Sequence, residues 1–320
     1  MVVTEIRNIP YFDGHCDTIY ECMGKGRSLR ENSGHVDLMR GQRYGRRAQF
    51  FALFDNVREL PEGTAWTKLC QMHDWFCAQA AENADVMALC RTGAEVDAAA
   101  AQHKTAALLS IEGADLIDCD VHKIETVSGW GVRLLNPVWN RANVLSGTNA
   151  EEPERGLSAE GRDFIHVLEE HEIYPDVSHL SDAGFWDLVR MAKRPIVASH
   201  SNARAVCPHR RNLTDDQFRA IRDLGGTAGL NLYAPFLTQA PRASFDDLRR
   251  HLDRFLELDG EGHIALGADL DGCDLLPEGF SGLDDYNRLG DFLKTTGYSD
   301  ETIQNLFCNS LMKVVKLCIM

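Results

Sequence analysis

Short runs of apolar residues recur along the chain, each about as long as one buried β-strand. The runs cover residues 9–12, 48–54, 105–111, 131–138, 173–177, 195–198, 225–232 and 263–267. Between most of them, apolar residues recur at three- and four-residue steps, which predicts amphipathic helices. These helices are predicted over residues 64–90, 121–128, 158–171, 181–191, 214–224 and 244–258, and from 282 onward. Thr214, followed three residues later by Gln217, predicts a capping box at one helix start.

This alternation of strands and helices predicts parallel strands joined by helical crossovers. Eight such strands in one chain predict a TIM-type (β/α)8 barrel. The 320 residues, 44% of them hydrophobic, are enough to build its core as a single domain over residues 1–320. Because barrels of this type carry their chemistry at the C-terminal ends of the strands, we expect the functional side chains there.

Imidazole and carboxylate side chains stand at five of these predicted strand ends. They are His15 and Asp17, Glu112, His179, His200, and Asp269. Alternate residues of a strand point the same way, so His15 and Asp17 would project together. Any one of these residues alone could be a hydrogen-bonded core histidine or a loop carboxylate. Together on one rim they predict a metal site, because the carboxylates would otherwise repel each other and lose hydration.

The donor set also indicates which metal is expected. Two cations bridged by a carboxylate would use all of these groups. Imidazoles and carboxylates without a thiolate suit zinc, with manganese, iron or cobalt as alternatives. The sequence therefore predicts a binuclear site for divalent transition metals.

Charge and composition exclude several classes of partner. A net charge of -15 argues against nucleic acid and anionic membranes. The chain has no signal-peptide pattern and no apolar run of about 18 residues, so we expect a cytoplasmic protein that does not contact a membrane. Its 10 cysteines include no C-x-x-C pair, which is typical of reduced thiols.

At the level of motifs, the sequence resembles the membrane dipeptidase (renal dipeptidase) family of zinc metallopeptidases, within the amidohydrolase superfamily. The matching segments follow the family's order over nearly the whole chain. They are DGHCDT (13–18), SIEGAD (110–115), DVSHLSD (176–182), VASHSNARA (197–205), RRNLTD (210–215) and GADLDG (267–272).

The resemblance implies a (β/α)8 barrel with two Zn²⁺ per chain. It implies that His15 and Asp17 bind the first metal, that Glu112 bridges, and that His179 and His200 bind the second. Asp269 would be the catalytic carboxylate, with Asp271 as the competing candidate, and Arg211 would hold the substrate's carboxylate. The implied reaction is hydrolysis of dipeptides, including L-Xaa-D-Xaa, by a metal-bridging hydroxide. A homodimer is also expected from the resemblance.

One position departs from the family pattern. Many members have a substrate-contacting histidine after the fourth strand, where this chain has Trp139, as in a bacterial branch of the family. Trp139 and Asn140 are therefore candidate substrate contacts, with Arg141 as a further possibility and simple packing of Trp139 as the alternative. Two other functions stay open: a related hydrolase acting on β-lactams, lactones or phosphoesters, and a metal-binding barrel of weakened activity. The carbamylated lysine of many such relatives has no counterpart near Glu112 or the fourth strand end, which argues against the first.

Overall fold

The computed structural model describes residues 9–318, which form a ring of parallel strands surrounded by helices. The strands are β1 (Tyr11–Asp13), β2 (Arg47–Leu53), β3 (Met87–Leu89), β4 (Thr105–Glu112), β5 (Val132–Asn136), β6 (Tyr174–Pro175), β7 (Val197–Ala198), β8 (Thr227–Leu230) and β9 (Ile264–Leu266). Their order in the sheet is β6-β5-β4-β2-β1-β9-β8-β7, while β3 pairs only with the start of β4. A parallel bridge between Asp176 and Val197 joins β6 to β7 and closes the ring. The predicted TIM-type (β/α)8 fold is confirmed.

Helices follow most of the strands. They are α1 (Thr18–Lys25), α2 (Leu38–Gly41), α3 (Ala65–Glu82), α4 (Gly93–Ala101), α5 (Ile124–Trp130), α6 (Ala159–Glu170), α7 (Asp182–Met191), α8 (Asp215–Asp223), α9 (Ala234–Leu237), α10 (Phe245–Glu257), α11 (Tyr286–Thr295), α12 (Asp300–Gln304) and α13 (Ser310–Cys318). A π-helical turn, Asn305–Asn309, joins α12 to α13, and short 3₁₀ turns span Val57–Glu59, Ala114–Ile117, Val121–Lys123 and Leu283–Asp285. Within residues 9–318, no helix combines the length and the apolar character needed to cross a bilayer.

The long helix predicted over residues 64–90 is confirmed up to Glu82 and is wrong from Asn83 onward. The helix α3 ends at Glu82, and Asn83 caps it with a side-chain amide that donates to the Gln79 carbonyl. The backbone then turns into β3, whose pairing with β4 supplies hydrogen bonds that helical spacing does not reveal. The following helix, α4, begins with a capping box between Thr92 and Glu95.

Other helix starts agree with their sequence signals. Thr214 and Gln217 form the predicted capping box at α8. Serine side chains cap α6, α7 and α10 at Ser158, Ser181 and Ser244. Each cap satisfies backbone N–H groups that the first helical turn leaves unpaired.

Two apolar clusters hold the barrel together. The smaller cluster takes side chains from nearly every barrel strand, including Phe12, Phe50 and Leu108, and so fills the interior of the ring. Leu311 and Val314 of α13 belong to the same cluster and cover that interior from one side. The larger cluster packs the helices against the outside of the strands. Because both faces of the sheet are covered, β2 is buried along its whole length.

Candidate metal centre

The predicted ligands from the five strand ends meet in one place, at the C-terminal end of the barrel. All except Asp269 are buried, and the Asp269 side chain is 16% exposed. All of them except His15 line a pocket of about 410 Å³ together with Arg211, Trp139 and Asn140. His15 lies next to this lining, 3.6 Å from Asp17 and 3.7 Å from Glu112. Residues separated by up to 250 positions in the chain therefore share one site because parallel strands present their carboxyl ends on the same rim.

Glu112, the last residue of β4, lies between two groups of ligand atoms. Its Oε2 atom is 3.7 Å from His15 Nε2. Its Oε1 atom faces the other way, 2.8 Å from His179 Nε2 and 3.6 Å from His200 Nε2. The two carboxylate oxygens thus serve two sides of the site, as a bridging ligand would.

The first side of the site is formed by His15, Asp17 and Asp269. The Nε2 atom of His15 is 3.6 Å from Asp17 Oδ1 and 3.8 Å from Asp269 Oδ1. Potential ligand atoms of this trio lie within 4.8 Å of one another, and so do those of His15, Glu112 and His200. Asp269, predicted as the catalytic carboxylate, therefore lies close enough to contact a metal as well.

The electrostatics of these residues fit a bound cation. The Nδ1 and Nε2 atoms of His15 and Oδ1 of Asp17 are buried and have no hydrogen-bond partner. Burial alone would lower the pKa of His15, but Glu112, Asp17 and Asp269 outweigh it and raise that pKa to about 10. Burial raises the pKa of Glu112 well above its usual value and that of Asp269 to about 6. Buried carboxylates that gather around one imidazole create the negative potential that a metal ion neutralises.

The other two histidines are held in their neutral, ligating form. Burial, with help from the charge of Arg211 and of His15, lowers the pKa of His179 and of His200 well below the usual value. Metals bind the neutral imidazole. The residues present therefore fit a pair of divalent metals.

The two candidate carboxylates after β9 differ in their contacts. The Oδ2 atom of Asp269 accepts from the side-chain amide of Asn231, and Asp269 Oδ1 faces the His15 cluster. Both oxygens of Asp271 are used elsewhere: one accepts from the Thr18 hydroxyl and the other from the His35 backbone N–H. Asp271 therefore anchors the loop that carries His35, and Asp269 is the better placed proton acceptor.

Arg211 enters the pocket from the loop after β7. Its side chain is buried, and Nη2 donates to His179 Nε2 over 3.0 Å, while Nη1 has no partner. The guanidinium carbon lies 5.5 Å from the centre of the Phe236 ring. Burial lowers the pKa of Arg211 to about 10, so the group stays charged at neutral pH. An unpartnered buried N–H of a charged guanidinium is suited to an anionic group of a substrate.

Trp139 and Asn140 also line the pocket. The Trp139 ring packs against Phe54 at 4.8 Å between ring centres, and it lines both the main pocket and a smaller side cavity bordered by Arg58 and Arg141. The Oδ1 atom of Asn140 lies 3.1 Å from His179 Nδ1. Asn140 therefore holds a predicted ligand in place, and its role in substrate binding stays a prediction, as does that of Trp139.

Some pocket residues were not identified from sequence. Asn231 follows β8 as a polar residue at a strand end, a signal that could have identified it. Tyr20, Phe54, Tyr233 and Phe236 line the pocket from loops and helix starts, where no periodic pattern singles them out.

Comparison with known proteins identifies the family. Residues 4–318 match the family model of the membrane dipeptidases, peptidase family M19. The chain belongs to this family. It is a metallo-dipeptidase, as the resemblance implied, and the two residue clusters described above could hold a metal ion.

Two sequence relatives of this metallo-dipeptidase cover most of its length. A Klebsiella pneumoniae protein, described as uncharacterized and encoded in the pqqA 5′ region, is 36% identical over 246 residues, covering 74% of this chain and 90% of its own. An Acinetobacter calcoaceticus protein, likewise uncharacterized and from the PQQ-III 3′ region, is 30% identical over 284 residues, covering 78% and 90%.

Solved structures agree with the fold over its whole length. A dipeptidase AC of family M19 superposes with a TM-score of 0.88 at 28% identity, covering 96% of this chain and 98% of its own. A metallo peptidase from Rhodobacter sphaeroides, bound to a phosphinate mimic of the dipeptide L-Ala-D-Ala, superposes with a TM-score of 0.89 at 26% identity, covering 96% and 99%.

Proposed function

We propose that this metallo-dipeptidase hydrolyses dipeptides with a free C-terminal carboxylate, including L-Xaa-D-Xaa, and that it uses two Zn²⁺ per chain. The observation that carries the proposal is the position of Glu112, with one oxygen toward His15 and the other toward His179 and His200. The phosphinate mimic of L-Ala-D-Ala in the Rhodobacter sphaeroides relative supports the same substrate class.

His15 and Asp17 would hold the first metal, His179 and His200 the second, and Glu112 both. Metals bound there would supply Lewis acidity and acidify water toward neutral pH. Distances among the donor atoms support these roles, because ligand atoms of His15, Glu112 and His200, and those of His15, Asp17 and Asp269, lie within 4.8 Å of one another. His179 is supported by its Nε2 atom, which lies 2.8 Å from Glu112 Oε1.

Asp269 would transfer a proton during hydrolysis. Its carboxylate lies beside the His15 cluster and is oriented by the Asn231 amide. It would accept a proton from the attacking water and pass it to the leaving amine, which requires hydrogen-bond reach to both. Its Oδ1 atom, on the side of His15, would reach both.

Arg211 would fix the substrate's carboxylate by a charge-assisted, two-point contact. The pocket of about 410 Å³ suits a molecule of dipeptide size. Trp139, which also lines the pocket, would then contact another part of the substrate. A homodimer and a cytoplasmic location stay predictions from the resemblance and the composition.

A related hydrolase acting on lactones or phosphoesters is the second candidate. No lysine is among the residues that line the described pocket, so a carbamylated lysine bridge has no place there. Incubation with L-Ala-D-Ala, with and without a chelator, tests the proposal directly. We expect chelator-sensitive release of alanine and two metals per chain by elemental analysis. Hydrolysis of a lactone or phosphoester with no dipeptide turnover would contradict the proposal.

A further inference from the structure

A chain of buried polar groups leads away from His200 on the side opposite the metal cluster. The Nδ1 atom of His200 lies 2.6 Å from Ser199 Oγ, and Ser199 Oγ lies 3.3 Å from Ser178 Oγ. The Ser178 hydroxyl in turn lies 2.8 Å from Asp176 Oδ1. None of these residues is more than 2% exposed, so this series of hydrogen bonds is shielded from solvent.

The direction of each hydrogen bond follows from counting donors. Asp176 Oδ1 accepts from the backbone N–H groups of Ser178 and Ser199, so it also accepts the Ser178 hydroxyl proton. Ser178 Oγ has then spent its only proton, and it accepts from the His200 backbone N–H and from the Ser199 hydroxyl. Each hydroxyl carries one proton, so a Ser199 proton that is donated to Ser178 is not available to His200.

The last step concerns the imidazole itself. With the Ser199 proton donated to Ser178, Ser199 Oγ offers His200 a lone pair, and His200 Nδ1 is the nitrogen that carries the proton. The lone pair of His200 is then on Nε2, which faces Glu112 and His179.

We propose that Asp176 is a positioning residue that acts through Ser178 and Ser199 to fix the metal-ligating tautomer and orientation of His200. This inference rests on the proposed metal site and adds residues for which no role has been assigned. A hydrogen bond to the non-ligating nitrogen sets which nitrogen of a histidine binds the metal and how well.

The same series of hydrogen bonds also connects two neighbouring strands of the barrel. It spans β6 and β7, the pair that closes the barrel through the bridge at Asp176 and Val197. The bond from the Ser199 N–H to Asp176 ties the strand end carrying His179 to the one carrying His200. The companion His179 is held differently, by Asn140 on a loop at the pocket wall. A buried relay thus fixes one histidine and a loop residue fixes the other.

Replacement of Ser199 by alanine tests the relay, with a matched control one residue beyond His200. Ser199→Ala removes the acceptor for His200 Nδ1 but keeps the backbone N–H that Asp176 binds. Ser201→Ala removes a hydroxyl that is equally buried and has no hydrogen-bond partner. Zn²⁺ affinity of the metal-free full chain is measured by competition with a chromophoric chelator. We expect Ser199→Ala to weaken one of the two sites about 10- to 100-fold, and Ser201→Ala to leave both unchanged.

A second readout reports the tautomer and needs no variant. ¹⁵N spectra of the metal-free wild-type chain should show a protonated Nδ1 and a bare Nε2 on His200, and Ser199→Ala should show a mixture of tautomers. A wild-type His200 protonated on Nε2 would overturn the inference even if the variant failed to fold. Equal Zn²⁺ affinity and equal tautomer in the two variants would also overturn it. Failure of the wild-type chain to bind Zn²⁺ at all would instead contradict the proposed function.

Discussion

Replacement of Arg211 by alanine is the sharpest test of how substrates are chosen. The guanidinium is already buried in the free protein, and its Nη1 nitrogen has no hydrogen-bond partner among the described residues. Most of the cost of removing water from this group has therefore been met on folding, before a carboxylate binds. Loss of one partner from a buried, hydrogen-bonded charge pair costs about 2–5 kcal/mol. At about 1.4 kcal/mol per factor of ten, kcat/KM for L-Ala-D-Ala should fall roughly 30- to several-thousand-fold.

The assay compares a free dipeptide with its C-terminally amidated analogue in each variant. Arg211→Ala should act mainly through KM on the free dipeptide and should change hydrolysis of the amide much less, because the amide has no charge to lose. Arg211→Lys should fall between, since lysine keeps the charge but not the two-point contact.

Arg210→Ala is the matched control, because Arg210 is adjacent and exposed. Equal losses for the free and the amidated substrate in Arg211→Ala would refute carboxylate recognition by this residue. An effect of Arg210→Ala as large as that of Arg211→Ala would refute it as well.

Further predictions concern the metals, the proton and stability. Glu112→Gln should lower metal content below two per chain, and full occupancy by elemental analysis would contradict the bridging role. Asp269→Asn should keep metal but lose turnover by about 10²–10⁴-fold, so that wild-type hydrolysis by this variant would rule out Asp269 as the proton carrier. Burial lowers the pKa of His251 to about 4, where Nδ1 accepts from the Ala203 N–H and Nε2 donates to the Leu237 carbonyl. Because the folded pKa of His251 lies below its unfolded value, neutral His251 adds to the free energy of unfolding. This stabilisation is complete above about pH 6.5 and is lost as the pH falls toward 4. It amounts to about 3 kcal/mol, and the metal-free His251→Gln variant should lack this part of the pH dependence in thermal or denaturant unfolding.

The pocket walls show how far sequence reasoning reached. The position of Trp139 after the fourth strand follows from the strand pattern, and the structure indeed places it on the pocket wall. The contact of Asn140 with His179 does not follow, because it depends on the path of a loop. Similarly, the end of α3 at Glu82 depends on the pairing of β3 with β4, which lies outside any local pattern.

The sequence by itself determined the alternation of strands and helices, and hence the barrel. It also determined which chemical groups stand at the strand ends, because side-chain alternation and helical periodicity are local properties of the chain. Tertiary structure alone decided that the two oxygens of Glu112 face different ligand groups and that Asp269 rather than Asp271 lies next to His15. It also decided that His179 is held by Asn140 Oδ1 and His200 by Ser199 Oγ. These outcomes depend on distances of a few tenths of an ångström between residues far apart in the chain, and hydrogen bonds are that sensitive to distance and angle.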